Sequence, residues 1–125
     1  MKYMCLVYID ETRFDSMSQD EIDALEDEAL ANDASLATSG HLIRGQALDA
    51  VRSAVTIRIR DGKISTTDGP FAETKEQLGG FIFIEADDID KAIEIAGTIP
   101  MARIGSIEVR PAMDLERRVR ERSRI

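Results

Sequence analysis

The residues best suited to chemistry lie in one polar segment, which reads DGPFAETKEQLGGF from position 68 to position 81. This segment places two acids, Asp68 and Glu73, close to Lys75. In a half-buried pocket a carboxylate of this kind can act as a general base, while a lysine can stabilise developing negative charge. His41 is the one histidine of the chain and is a further candidate for proton transfer.

The same segment begins with a cluster of turn-forming residues. Gly69 tolerates positive φ, and Pro70 fixes φ. The connection between the flanking predicted strands has about ten residues, whereas a plain hairpin needs two to five. Longer ordered loops on rigid scaffolds are often functional, so we predict a binding loop here. The alternative is a solvated loop with one short helical turn over residues 72–77.

The charged residues of the loop and the arginines of the strands are suited to binding a small polar or anionic ligand. The candidate ligand-binding residues are the start of the loop, its charged residues and two strand arginines: Asp68, Gly69, Pro70, Phe71, Glu73, Lys75, Arg44 and Arg58. The alternative is that the charges pair with one another and brace the loop, which we favour for Glu76 and Arg103. The strand face that carries Arg58 either approaches the loop carboxylates or faces water.

No motif for a nucleotide, a metal or another cofactor accompanies the loop. The sequence lacks a P-loop, a dinucleotide fingerprint, zinc-ligand spacing and a Gly-x-Ser-x-Gly elbow. An acidic run at positions 20–28 has no accompanying carboxylate–histidine spacing, so we interpret it as a solvated helix face. We therefore expect no cofactor and no metal site.

Composition narrows the class of protein. The 125 residues suit one domain, and the net charge of −8 argues against broad binding to nucleic acid or to anionic membranes. No apolar run approaches the length of a membrane span, and the N-terminus lacks a leader pattern. The single cysteine, Cys5, lies among apolar residues and fits a small core residue in a reducing compartment. We expect a cytoplasmic protein.

Hydrophobic periodicity predicts an α+β chain of order β-α-β-(hairpin)-β-α-β, in which Asp61-Gly62 is the signal for the turn of the hairpin. Strands at residues 2–9 and 80–85 are apolar on both faces. Two helices can cover only one face of a small sheet, so we expect a homodimer in which a second copy covers the other face. A capping box of Ser18 and Glu21 starts the first helix. The second helix is expected to bury the stripe Ile89, Ala92, Ile93 and Ala96.

The DGPFAETKEQLGGF run resembles the signature of the YCII-related family, in the branch called DGPF-domain proteins. The opening MKYM strand and the late GSIEVRP segment fit the same pattern. The resemblance covers residues 1–112 and leaves residues 113–125 as a basic C-terminal tail. It implies a ferredoxin-like domain that pairs into a dimeric α/β barrel. The resemblance does not point to one activity, because most members of the family have no assigned biochemical activity.

The resemblance also marks a difference from shorter relatives in the family. Those relatives look like enzymes with a His late in the first helix and an Asp-Pro-aromatic triplet after the second. In this chain Glu28 stands near the first position, and Ile99-Pro100-Met101 follows the second helix. Both members of the His–Asp pair are absent and His41 does not match either position, so no catalytic dyad carries over.

Three functions are consistent with the sequence. We rank first a dimer that binds a small ligand, in a binding or regulatory role. Some relatives that the chain resembles are linked with alternative sigma factors, which points to signalling. A close alternative is a cofactor-independent enzyme that uses acid–base chemistry on a small metabolite. A purely structural interaction module is the third, and it leaves the chemistry of the loop unexplained.

Overall fold

The computed structural model describes residues 1–122, whose elements follow the predicted α+β order. The strands are β1 Lys2–Ile9, β2 Leu42–Ala47, β3 Val55–Arg60, β4 Lys63–Asp68, β5 Gln77–Glu85 and β6 Ser106–Pro111. The helices are α1 Gln19–Thr38, α2 Ile89–Ala96 and α3 Leu115–Arg122. Three short 3-10 turns cover Glu11–Ser16, Val51–Ser53 and Pro100–Arg103. Residues 123–125 of the predicted tail lie outside the described residues.

Four strands form one antiparallel sheet in the order β2-β5-β1-β6. β1 and β5 therefore lie in the centre, as the two-sided apolar pattern of both strands predicted. The arrangement is compatible with a ferredoxin-like fold, in which two β-α-β units contribute to one sheet. β3 and β4 form a separate two-stranded hairpin.

One face of the four-stranded sheet carries the core. Tyr3, Cys5 and Ile84 are the largest fully buried side chains, and they pack with residues of both main helices. The rest of this cluster is Val7, Leu36, Ile82, Ala86, Ala92, Ile95, Ala96 and Ile99. Cys5 is thus a core residue with a free thiol, as predicted.

Both helix starts follow their sequence signals. Ser18 accepts a hydrogen bond from the backbone of Glu21, whose side chain accepts one from the backbone of Ser18, which completes the predicted capping box. Asp88 caps α2 by accepting from the backbone N of Lys91. These bonds satisfy amides that have no partner inside the helix.

The predicted buried stripe of α2 is wrong at two positions. Ile89 and Ile93 are 42% and 56% exposed, whereas Ile95 is buried. The buried residues Ala92, Ile95, Ala96 and Ile99 have the same i, i+3, i+4, i+7 spacing in a different phase. Isoleucine stands on both stripes, so periodicity alone could not choose between them, and packing against the sheet decides the phase.

The opposite face of the sheet, which we call the outer face, is apolar in its centre. Strand register aligns Phe83 with Met4, and Phe81 with Leu6, and all four are half-buried. Tyr8 and Leu78 extend this centre by one further row. Polar residues stand at both margins: Arg44 and Gln46 on β2, and Glu108 and Arg110 on β6.

The β3–β4 hairpin turns at Asp61 and Gly62, as predicted. Both residues have positive φ (52° and 73°), which the two-residue turn between Arg60 and Lys63 requires. The apolar side chains of the hairpin are between 56% and 68% exposed: Val55, Ile57, Ile59 and Ile64.

Among residues 1–122, no helix combines the length and apolar character needed to cross a bilayer.

Candidate functional site

The loop predicted to be functional joins β4 to β5 without a helical turn. Its first half is tied to the hairpin at Gly69, whose φ of 98° favours glycine. The backbone N of Gly69 donates to the carbonyl of Ala54 at 2.7 Å. Its carbonyl accepts from Thr56 Oγ1 at 2.9 Å. The backbone entering Pro70 is thereby fixed.

The second half of the loop is held by Gln77. Its side-chain nitrogen donates to the carbonyls of Ala72 and Thr74, at 2.9 and 3.1 Å. Beside it, Glu76 Oε1 accepts from Ser106 Oγ at 2.7 Å, which connects the loop to β6. Glu76 therefore braces the loop, as favoured from the sequence, but through a serine hydroxyl and not through a second charge.

A cleft of about 780 Å³ lies beside this loop, and we call it the loop cleft. Such a volume is within the range of small-molecule sites. Its walls come from β1, the segment from Leu48 to Thr56, and the loop. The lining residues are Tyr8, Leu48, Asp49, Ala50, Val51, Ser53, Ala54, Val55, Thr56, Pro70, Phe71, Ala72, Thr74, Glu76, Gln77 and Leu78.

Two of the predicted loop residues, Pro70 and Phe71, line the loop cleft. Phe71 is 80% exposed, more than any other large apolar residue in the part of the chain that the structure describes. Asp68, Glu73 and Lys75 are exposed and do not belong to the lining. Gly69 acts through its backbone rather than as part of the wall.

The other predicted site residues lie apart from the loop. His41 is half-buried at the far end of β5, where its Nδ1 lies 2.8 Å from the carbonyl oxygen of Glu85. The nine residues of β5 span roughly 27 Å at the rise of a strand, so His41 and the loop occupy opposite ends of the sheet. Arg44 lies at the margin of the outer face, and Arg58 is exposed on the hairpin. The structure therefore does not bring these three residues to the loop.

The lining includes residues that sequence reasoning missed. Tyr8 belongs to the outer face, and its hydroxyl donates to Glu108 Oε1 at 3.3 Å. Glu108 also accepts from Arg110, and this ion pair is the main reason that its pKa is lowered. Thr56 and Leu78 also line the loop cleft. The strand parity of Tyr8 indicated its face, but no local signal placed it next to the loop.

The charges available in the loop cleft are of one sign. Asp49 and Glu76 line it, and no Lys, Arg or His does so among the residues described. No three His, Cys, Asp or Glu side chains in residues 1–122 are grouped to hold a metal ion. Cys5 is no nucleophile at neutral pH, because burial raises the pKa of its thiol to about 11.

Comparison with known proteins identifies the family. A sequence model of the YCII-related domain matches residues 1–116. The chain belongs to the YCII-related family. An uncharacterized protein of Rhizobium meliloti (strain 1021) is 35% identical over 113 residues, which cover 89% of this chain and 91% of the relative.

Glu28 on α1 forms an ion pair with Arg103. Arg103 donates from Nη1 and Nη2 to the two carboxylate oxygens of Glu28, each at 2.7 Å. The pair connects α1 to the 3-10 turn Pro100–Arg103, which follows α2. Both side chains are exposed. Arg103 therefore has a structural role, as favoured from the sequence, but its partner is Glu28 of α1 and not a charge of the loop.

Proposed function

We propose that this YCII-related protein is a homodimer that binds a small uncharged polar molecule in the loop cleft. The single observation that carries the proposal is the loop cleft itself, which borders Pro70 and Phe71 of the DGPF sequence. In this proposal the chain is of the DGPF branch, its subunit is ferredoxin-like, and two subunits form a dimeric α/β barrel. The free, buried Cys5 supports a location in the cytoplasm.

The lining of the loop cleft favours an uncharged ligand over an anionic one. Asp49 and Glu76 would repel an anion, and no basic side chain of the described residues lines the cleft to offset them. The side chains of Tyr8, Thr56 and Gln77 also line the cleft, and because their N–H and O–H groups already donate within the chain, their oxygens are the atoms left to accept a hydrogen bond from a ligand. A flat molecule with one amide or hydroxyl group has the matching chemistry.

The exposed aromatic ring of Phe71 is the side chain best placed to hold such a molecule. Because Phe71 is 80% exposed, packing within its own subunit removes little of its apolar surface from water. An aromatic ligand or a partner surface would bury the ring. Asp68, Glu73 and Lys75 are exposed on the same segment, and we place them at the solvent side of the ligand. Gly69 sets the path of the loop.

A second copy of the chain is the partner that fits the outer face. Its centre, Met4, Leu6, Phe81 and Phe83, is apolar, and its margins are polar, which is the usual anatomy of an interface. Two copies related by a two-fold axis can cover this face reciprocally. Arg44 lies at its margin and in the dimer contacts the second copy. Tyr8 and Leu78 belong both to the outer face and to the loop cleft, so the dimer would close the cleft.

Binding without catalysis ranks above the enzymatic alternative. The candidate proton-transfer groups Asp68, Glu73, Lys75 and His41 are all absent from the cleft lining. Of the two carboxylates that line it, Glu76 already accepts a hydrogen bond from Ser106. The other lining carboxylate, Asp49, accepts a hydrogen bond from the backbone N of Ala50, so neither carboxylate is free of partners to act as the general base that acid–base catalysis requires.

The proposal is tested with two probes of nearly equal shape, benzamide and benzoate. We expect benzamide to shift the backbone amide NMR signals of Phe71, Gln77 and Tyr8, and benzoate to shift them far less at equal concentration. Replacing Phe71 with Ala should weaken benzamide binding by about tenfold, the scale of one aromatic contact, and leave the fold intact. Leu30→Ala is the matched control, because Leu30 is 69% exposed on α1 and lies outside the cleft. Equal binding of both probes would contradict the proposed selectivity.

A further inference from the structure

A second cavity lies on the helix side of the sheet, and we call it the α1 cavity. It has a volume of about 390 Å³ and is bounded by the first half of α1, the end of β1, the turn Glu11–Ser16 and the segment after β2. Its floor includes Val7, Ile9 and Leu25, all of them buried apolar residues. The volume exceeds the lower bound of typical small-molecule sites.

The α1 cavity is separate from the loop cleft. The two share only the wall formed by Leu48, Asp49 and Ala50. The hydrogen bond from Leu48 N to the carbonyl of Gly79, at 2.9 Å, ties this wall to β5. A ligand in the α1 cavity would therefore contact residues of α1 that a ligand in the loop cleft cannot reach.

The carboxylates that line the α1 cavity favour a positively charged ligand. Glu11, Glu26 and Asp49 line it, and no Lys, Arg or His of the described residues does. Glu11 is already engaged, since its Oε1 accepts from the backbone N of Val51 at 2.8 Å. Asp49 Oδ1 accepts from the backbone N of Ala50. The side chain of Glu26 is exposed and makes no hydrogen bond or ion pair within residues 1–122, so its carboxylate is available.

We propose that the α1 cavity binds a small apolar amine in its ammonium form. The hydrocarbon part packs against Val7, Ile9 and Leu25, where it removes apolar surface from water. The ammonium group lies at the rim, between Glu26 and Asp49. An anion of the same shape is disfavoured because it would approach three carboxylates without a cation to offset them.

The test uses phenethylammonium and its anionic counterpart of similar size, 3-phenylpropanoate. We expect phenethylammonium to shift the backbone amide signals of Ile22, Leu25 and Glu26, and 3-phenylpropanoate to leave them unchanged at equal concentration. Glu26→Gln should weaken phenethylammonium binding by about threefold to fivefold, the scale of an exposed ion pair. Asp27→Asn is the matched control, since Asp27 is the adjacent exposed acid of α1 and does not line the cavity. It should leave the affinity unchanged.

A second variant tests the location without removing a charge. Ala47 lines the α1 cavity from the exposed end of β2, so Ala47→Phe should fill its mouth and abolish binding while the protein stays folded. Equal shifts from both probes, unchanged affinity in Glu26→Gln, or shifts confined to Phe71 and Gln77 would each overturn the proposal. Because the amides of α1 and those of the loop report separately, failure here is distinguishable from failure of the proposed loop site.

Discussion

The guanidinium of Arg103 donates two hydrogen bonds of 2.7 Å to the carboxylate of Glu28 and so connects the 3-10 turn between α2 and β6 to α1. Two parallel hydrogen bonds give such a pair a defined orientation. The pair lies on the surface, so its contribution is screened by salt.

The first prediction concerns the pH dependence of this pair. The hydrogen bond from Arg103 lowers the pKa of Glu28 below the ordinary value of 4.5. The stability that Glu28 contributes is therefore present above pH 4.5 and is lost as the pH falls through the lowered pKa. Glu28→Gln should have a slightly lower melting temperature than wild type at pH 7, and the difference should vanish in acid. Asp27→Asn is the control, and a pH-independent difference for Glu28→Gln would contradict the assignment.

Asp33 gives the second prediction, with the opposite sign. Its side chain on α1 packs toward Gly45 of β2, and burial raises the pKa of its carboxyl group above 3.8. The charged form is therefore disfavoured in the fold, and stability is lost as the pH rises through the raised pKa. Asp33→Ala should be more stable at pH 7, by about 0.5 kcal/mol from helix propensity and by a further amount from the relieved burial.

The control for Asp33 separates these two contributions. Asp27→Ala makes the same exchange at an exposed position of the same helix, so it receives the propensity gain alone. Thermal unfolding of both variants between acid and neutral pH gives the comparison. If both variants gain equally at pH 7, burial of Asp33 has no measurable cost.

The third prediction tests the dimer at the outer face. Leu6 lies between Phe81 and Glu108 in the strand register, in the centre of that face. Leu6→Glu would bury an unpaired charge in the interface, and it should weaken association by about a hundredfold or more. Light scattering after size exclusion should give twice the chain mass of 13.9 kDa for wild type and the single chain mass for the variant. Leu30→Glu, on exposed α1, should remain dimeric, and a monomeric wild type at micromolar concentration would refute the dimer.

The fourth prediction concerns Cys5. Burial keeps its thiol protonated at neutral pH, with a pKa of about 11, and the residue is 0% exposed. A thiol reagent such as Ellman's reagent should therefore leave the native protein unmodified and react fully with the chain unfolded in guanidinium chloride. Rapid reaction of the native thiol would show that β1 opens readily or that Cys5 is accessible.

Much of the fold follows from local pattern. The capping box at Ser18 and Glu21, the Asp61-Gly62 turn and the two-sided apolar strands predicted the elements and the central position of β1. Each of these signals depends on residues that are close in sequence. The phase of α2 was not predictable in the same way, because Ile93 and Ile95 are equally apolar and only contact with the sheet distinguishes them.

The candidate site was predictable only where its signals come from residues that are close in sequence. Turn chemistry identified the loop, and Pro70 and Phe71 line the cleft beside it. The roles of Thr56 and Gln77, which hold the two halves of the loop, depend on hydrogen bonds to backbone carbonyls that the sequence does not mark. His41 was a candidate on residue type alone, and the strand register places it at the opposite end of β5 from the loop.

The most direct test of the ligand-binding dimer is a pair of crystal structures of the full chain, one soaked with benzamide and the other with benzoate at the same concentration. We expect two copies joined through Met4, Leu6, Phe81 and Phe83, with ligand density against Phe71 in the loop cleft after the benzamide soak and none there after the benzoate soak. Copies whose outer faces lie open to solvent, or a loop cleft that stays empty at saturating benzamide, would contradict it.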